Sequence, residues 1–335
     1  MGMETFTKMD VVELSKKLIQ IPSLSGHEMP MFQSLKALFQ KQGYYVKAIP
    51  TSKNRLNLFA TKGSPKVLFC SHIDTVPPYV PLKETKTHLY GRGACDTKGV
   101  IAAQLVAGLG SAGVGFLYVV GEEVDHCGAI DASKKIPKVD AMIIGEPTQN
   151  KLAQGTKGIV KVTLQAFGKA AHSAYPNLGH SAIHALLTAL SKIQKLNFGH
   201  HPKLGAASLN IGVISGGVAA NVFAPEASAQ ILVRTVYKSK KALSQIQKAC
   251  GKKVKVKLQA MNDPITLSTL PGFQTDIVSF NTDIPYLMHR AKNCYLLGPG
   301  SILEAHHPKE RISKGELYKG VALYRNLLQF IFTKS

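Results

Sequence analysis

The chain of 335 residues is 45% hydrophobic and 18% charged, with five cysteines, no tryptophan and a formal net charge of +21. That balance describes a globular protein long enough for two domains, and no stretch reaches the roughly 18 uninterrupted apolar residues of a membrane span. The excess of Lys and Arg raises nucleic acid as a partner, but the lysines are dispersed, densest from Lys238 to Lys257, without a zinc-finger, RNP or helix-turn-helix pattern; a solvated basic face that could steer an anionic small molecule is expected instead.

The opening segment MGMETFTKMD carries acids and lacks an apolar core, so it does not read as a secretory signal. Cys70, Cys95, Cys127, Cys250 and Cys294 are odd in number and form no CxxC pair, which argues against a disulfide framework or a zinc knuckle. A cytoplasmic location, with no membrane partner, is expected.

Three segments then share one design, an apolar run that ends abruptly in charged or metal-capable groups. They are Lys66–Asp74 (KVLFCSHID), Gly115–Glu123 (GFLYVVGEE) and Val139–Glu146 (VDAMIIGE). Continuous apolar runs of this length suit interior strands of a parallel sheet covered on both faces. The helical pattern from Val100 to Ala107 lies between the first two and supplies a crossover. In such sheets ligands bind beyond the carboxyl ends of the strands, so the three charged endings are expected to meet in one crevice.

The middle of the chain reads differently: strand Ile159–Phe167, helix Ser181–Leu196, strands Ser208–Ile214 and Ala227–Val236, helix Lys241–Cys250 and strand Lys253–Gln259. That order is the split βαβ, ferredoxin-like unit. The sheet pattern resumes near Tyr295–Gly298. The expected architecture is an α/β protein with a mixed, mostly parallel sheet covered by helices, built from residues 1–157 and 260–335, and an inserted ferredoxin-like domain at 158–259.

Within this frame the chemistry collects at few residues. His72 and Asp74 sit two apart at a strand end, so their side chains leave on one face, and one can ligate while the other holds the imidazole. Asp96 follows a glycine-rich loop, GRGACDTKG, just ahead of the helix; it reads either as an N-cap or as a carboxylate able to bridge two metals. Glu122 and Glu123, as neighbours on an extended chain, are expected to point to opposite sides. Glu146 ends the third strand, and His306 and His307 follow in GPGSILEAHHPKE. Two imidazoles with three carboxylates suit zinc, and the oxygen-rich share also admits cobalt or manganese.

The motifs HIDTVPP, GRGACDTKG, GEEVDHCGA, GEPT, AHSAYP and GPGSILEAHHPKE, in this order over nearly the whole chain, resemble the M20 family of dinuclear zinc hydrolases. The resemblance implies two Zn2+ per chain, one held by His72 and Glu146, the other by Glu123 and His306, with Asp96 bridging. It implies that Asp74 orients His72 and that Glu122 is the general base. His172 would be an oxyanion donor, and Asn221, Arg234 and Gly298 would meet the substrate; His307 is given no role. The inserted domain would pair with its twin in a homodimer, carrying His172 to the neighbouring subunit's site, with the strand Ala227–Val236 expected at the sheet edge. The implied reaction is amide hydrolysis of a small N-acyl amino acid. N-acetylornithine deacetylation, in arginine biosynthesis, comes first because GPGSILEAHHP resembles that branch; succinyl-diaminopimelate desuccinylation, in lysine biosynthesis, and dipeptidase or carboxypeptidase activity are the alternatives. A non-catalytic binding protein would need a lost ligand or base, and none is missing.

Overall fold

The structure is a computed structural model that describes residues 9–334; most of the opening segment discussed above lies outside the described residues. The chain divides into two compact units, one of residues 1–154, 267–276 and 282–335, the other of residues 155–266 and 277–281. In chain order the first unit contributes α1 (Val11–Ile19), α2 (Met29–Lys41), β1 (Tyr45–Pro50), β2 (Leu56–Thr61), β3 (Val67–His72), α3 (Gly99–Gly108), β4 (Val114–Val119), α4 (Cys127–Ala132) and β5 (Val139–Ile144). The second holds β6 (Gly158–Phe167), α5 (Ala182–Gln194), β7 (Ser208–Gly216), β8 (Glu226–Thr235), α6 (Ser239–Cys250) and β9 (Val254–Asn262). The chain returns to the first with α7 (Ile284–Leu287), β10 (Ala291–Leu296) and α8 (Lys314–Lys334).

The first unit is built on a six-stranded sheet in the order β1-β2-β4-β3-β5-β10. Strands β4, β3, β5 and β10 run parallel, with β10 at one edge, and β1 and β2 add antiparallel strands at the other. Every residue of β3 and β4 is buried, as strands covered on both faces must be. Helix α3 is apolar all round and nearly wholly buried, so it forms part of the core rather than a surface layer. Phe69 of β3 stacks on Phe116 of β4 at 5.8 Å and meets Tyr324 of α8 edge-on at 5.2 Å, which fastens the last helix to the sheet; Phe69→Ala would cost about 3–5 kcal/mol. The register sets His72 opposite Val119 and Cys70 opposite Ile144. Asp74, Glu122, Glu123 and Glu146 therefore leave the sheet at one end.

The second unit is a four-stranded antiparallel sheet, β7-β8-β6-β9, with α5 and α6 packed on it. Ala182, Leu186, Ala189, Leu190 and Ile193 make the buried stripe of α5 at helical spacing. Val160, Val162, Leu164 and Ala166 of β6 face the same core. One expectation is corrected here: β8, the strand read as an edge, is interior, and the edges are β7 and β9. Each helical crossover skips one strand position, so the first and third strands of the unit become central neighbours. Among the described residues no helix is long and apolar enough to cross a membrane.

Candidate metal centre

His72 ends β3 fully buried. Its Nδ1–H donates to the carbonyl oxygen of Asp74 at 2.9 Å, while the Asp74 carboxylate stands 3.6 Å away. The backbone of Asp74 thus orients the ring more directly than its side chain does. The carboxylate is occupied elsewhere: it accepts from Ser25 Oγ at 2.7 Å and from the backbone N–H of Gly121 and Glu122 at 2.9 and 3.2 Å. Asp74 therefore ties the end of β3 to the segment that follows β4. Nε2 of His72 is directed at Asp96 Oδ1, 3.0 Å away.

Asp96 lies in the irregular turn Ala94–Lys98 before α3. A buried carboxylate places it: Glu310 accepts from the N–H of Cys95 and Asp96 at 3.1 and 3.2 Å and pairs with buried Arg92 at 2.7 Å. Asp96 is not an N-cap with a side-chain hydrogen bond to α3; its carboxylate lies between His72 and His306, whose Nε2 is 3.4 Å from Oδ2.

Glu122 and Glu123 diverge, but not as alternate residues of a strand. Strand β4 ends at Val119, and Gly121, at φ +80, opens a turn in which the N–H groups of Val124, Asp125 and His126 all point at the Gly121 carbonyl. A side chain on Gly121 would also press on Cys127 Sγ and Arg55 Nη1. The turn sends Glu123 to His306 Nε2, 3.0 Å from Oε2, and Glu122 toward His126, 3.9 Å from Nδ1. Glu146 is buried at the end of β5. Gly298 packs against it so closely that a Cβ there would meet the Glu146 carbonyl, and its N–H and C=O are both bonded to residues 148–150.

Ligand atoms of His72, Asp96 and Glu123 lie within 4.8 Å of one another, and His306 closes on Asp96 and Glu123. Electrostatics follow from burying so many carboxylates together. Burial pushes Glu122 well above the carboxylate range, with Asp283 and Glu123 adding to it against His72. Burial likewise raises Glu146 and Glu123. For His72, burial disfavours the charged ring, but Asp74 and Asp96 outweigh it and hold the pKa well above the usual value. Asp96 and Glu123 raise His306 to about 10. Asp96, despite burial, is held below its ordinary value by His306 and His72. A donor set of two imidazoles and several buried carboxylates, each raising its neighbours' cost of charge, fits divalent cations as the compensating charge.

The residues assigned to the second unit are placed separately. His172 is exposed and forms an isolated bridge with Val222, and Ser173 N–H donates to the Asn221 carbonyl at 2.8 Å, so His172 and Asn221 belong to one loop cluster. Arg234 lies near the other end of β8, roughly 26 Å along the strand from Glu226 at about 3.3 Å per residue. Sequence reading did not single out Glu310, Arg92, Ser25, His126 or Asp283; the carboxylate of Asp283 accepts from His126 Nδ1 at 2.9 Å.

Residues 154–258 match the peptidase dimerisation domain of the M20 family. A peptidase M20 domain-containing protein of Schizosaccharomyces pombe is 36% identical over 96% of this chain and 84% of its own. The chain belongs to the M20 peptidase family. A protein of Uncinocarpus reesii named "probable carboxypeptidase" is 33% identical over 96% of this chain and 86% of its own. The M20 fold extends through both units: a tripeptidase of Staphylococcus aureus superposes with a TM-score of 0.82 at 21% identity, covering 97% of this chain and 98% of that one. A Bacillus subtilis protein described as a dinuclear metal binding peptidase of the same family gives 0.67 at 15% identity, covering 95% and 98%.

Proposed function

We propose that this M20 hydrolase cleaves a linear amide in a short peptide or N-acyl amino acid, with two divalent ions, zinc first, held by His72, Glu146, Asp96, Glu123 and His306. The observation that carries the reading is the convergence of His72, Asp96, Glu123 and His306 beside a half-buried carboxylate, Glu122, that has no ligand-type contact with the two imidazoles. Bound ions would supply Lewis acidity and lower the pKa of water toward neutrality. Glu122 takes a proton from water as the oxygen adds to the amide carbonyl, and returns it to the leaving nitrogen; a carboxyl raised by burial suits both transfers.

Carboxypeptidase or dipeptidase activity is the reading favoured by the names of the relatives. N-acetylornithine deacetylation remains the second reading, on the strength of GPGSILEAHHP, and succinyl-diaminopimelate desuccinylation the third. The dimerisation-domain match supports a homodimer, in which His172 would donate to the oxyanion and Asn221 and Arg234 would contact substrate; a cytoplasmic location goes with this reading. The test is turnover of zinc-loaded protein on a dipeptide panel, acetylornithine and succinyl-diaminopimelate, with metal analysis of the same sample. Two ions per chain and activity abolished by chelator are expected; full activity without bound metal rejects the proposal.

A further inference from the structure

We propose that His126, held by Asp283, is a positioning residue for Glu122. The inference rests on the reading of Glu122 as the base. The turn from Gly121 to His126 carries both the base and a metal ligand, and it is pinned at its two ends by two different buried carboxylates. Asp74 takes the N–H groups of Gly121 and Glu122 at the start. At the end, Asp283 takes His126 Nδ1–H at 2.9 Å. The His126 side chain is only 13% exposed, against 12% for Glu122 and 3% for Asp283.

The backbone gives a second, independent observation. His126 adopts φ 57, ψ 20, a left-handed conformation that costs a side-chain-bearing residue energy and persists where its surroundings impose it. Here the surroundings are the N–H to Gly121 O at 2.6 Å, the Asp283 carboxylate, and the Tyr286 ring at 5.0 Å. In that conformation Nδ1 comes to 3.9 Å from Glu122 Oε1. The imidazole forms a wall against the base, too far for a strong hydrogen bond but close enough to limit where the carboxylate can swing. Asp283 comes from the segment preceding α7, so the wall is anchored on a different part of the same unit from the turn itself.

The test compares metal-loaded Glu122→Gln, His126→Gly, His126→Asn and Asp283→Asn. Glycine accepts the left-handed backbone without strain and removes only the side chain. Asparagine tolerates the same backbone and keeps an N–H donor near the Nδ1 position. His126→Gly is expected to lower kcat about 10²-fold, the scale of a misplaced group, with KM, product affinity and metal content unchanged; His126→Asn should recover most of that loss. Unchanged kcat in His126→Gly, a raised KM at constant kcat, or no recovery in His126→Asn overturns the inference. If His126→Gly does not fold, Asp283→Asn carries the test: lowered kcat at constant KM and metal content supports the positioning role, and unchanged kcat rejects it. An active Glu122→Gln removes the underlying base assignment, whereas an inactive Glu122→Gln beside a fully active His126→Gly removes this inference alone.

Discussion

Removing the Glu310 carboxylate should damage both stability and the placement of Asp96. Glu310 and Arg92 are both buried, paired at 2.7 Å, and Glu310 also accepts two backbone N–H groups from Cys95 and Asp96. In Glu310→Ala the stranded guanidinium costs about 3–5 kcal/mol, and each N–H left without water adds about 1–3 kcal/mol. With both N–H groups stranded a loss of about 5–11 kcal/mol is expected, a large part of the roughly 5–15 kcal/mol that holds a domain folded. Glu310→Gln keeps an acceptor for the N–H groups but leaves the buried Arg92 charge without its anion, and should cost about 3–5 kcal/mol. Replacing both partners, Arg92→Met with Glu310→Met, leaves no buried charge and should cost less than Glu310→Ala alone. Urea unfolding of the metal-free proteins measures these differences, and metal titration should show affinity weakened about 10–100-fold in Glu310→Gln, as for loss of a group that orients a ligand. A Glu310→Ala cost under about 1 kcal/mol, or a double variant no more stable than Glu310→Ala, refutes the argument.

The metal-free protein should lose stability as pH rises from about 6.5 to about 8. The folded state raises the pKa of His72 and of His306, the latter to about 10, so their contribution is fully present below the unfolded value of about 6.5 and is lost as pH rises. Raised Glu122 and Glu146 act in the same direction, because the fold binds more protons than the unfolded chain; Lys98, lowered by burial to about 8, opposes them only above this window. A thermal midpoint that climbs across it contradicts the assignment, and calorimetry in buffers of different ionisation enthalpy should show protons released on metal binding. Gly298→Ala should destabilise by about 1–3 kcal/mol through overpacking against Glu146, read by thermal unfolding; a neutral result places the strand ends differently. All five cysteines are buried, with thiols raised by burial, three of them to about 11, so a thiol reagent near neutral pH should label none in the native protein and five in urea. Mixing inactive Glu122→Gln with inactive His172→Ala should restore part of the activity if His172 serves its partner's site, and no recovery despite subunit exchange removes that role.

The fold was legible where burial writes itself into composition. β3, β4 and β5 are apolar on both faces, so each read as an interior strand, and their abrupt charged ends marked the site. The alternation in β6 and the helical stripe of α5 likewise marked the inserted unit. What sequence could not show depends on the third dimension. Arg92 and Glu310 are 218 residues apart, and His126 and Asp283 are 157 apart, so neither pair is visible to any local pattern. The apolar run continues to Val120 and suggests an extended chain through Glu122 and Glu123, whereas the strand ends at Val119 and the positive φ of Gly121 opens a turn. Periodicity gives a strand's two faces but not its place in the sheet order, so it does not distinguish an edge from an interior position such as that of β8.

The most direct test of the account separates the adjacent glutamates at equal folding. Glu122→Gln should keep its metal and lose about 10²–10⁴-fold in turnover, whereas Glu123→Gln should weaken metal binding itself. If the two variants match in both metal content and rate, the division of base and ligand on the Gly121 turn is wrong.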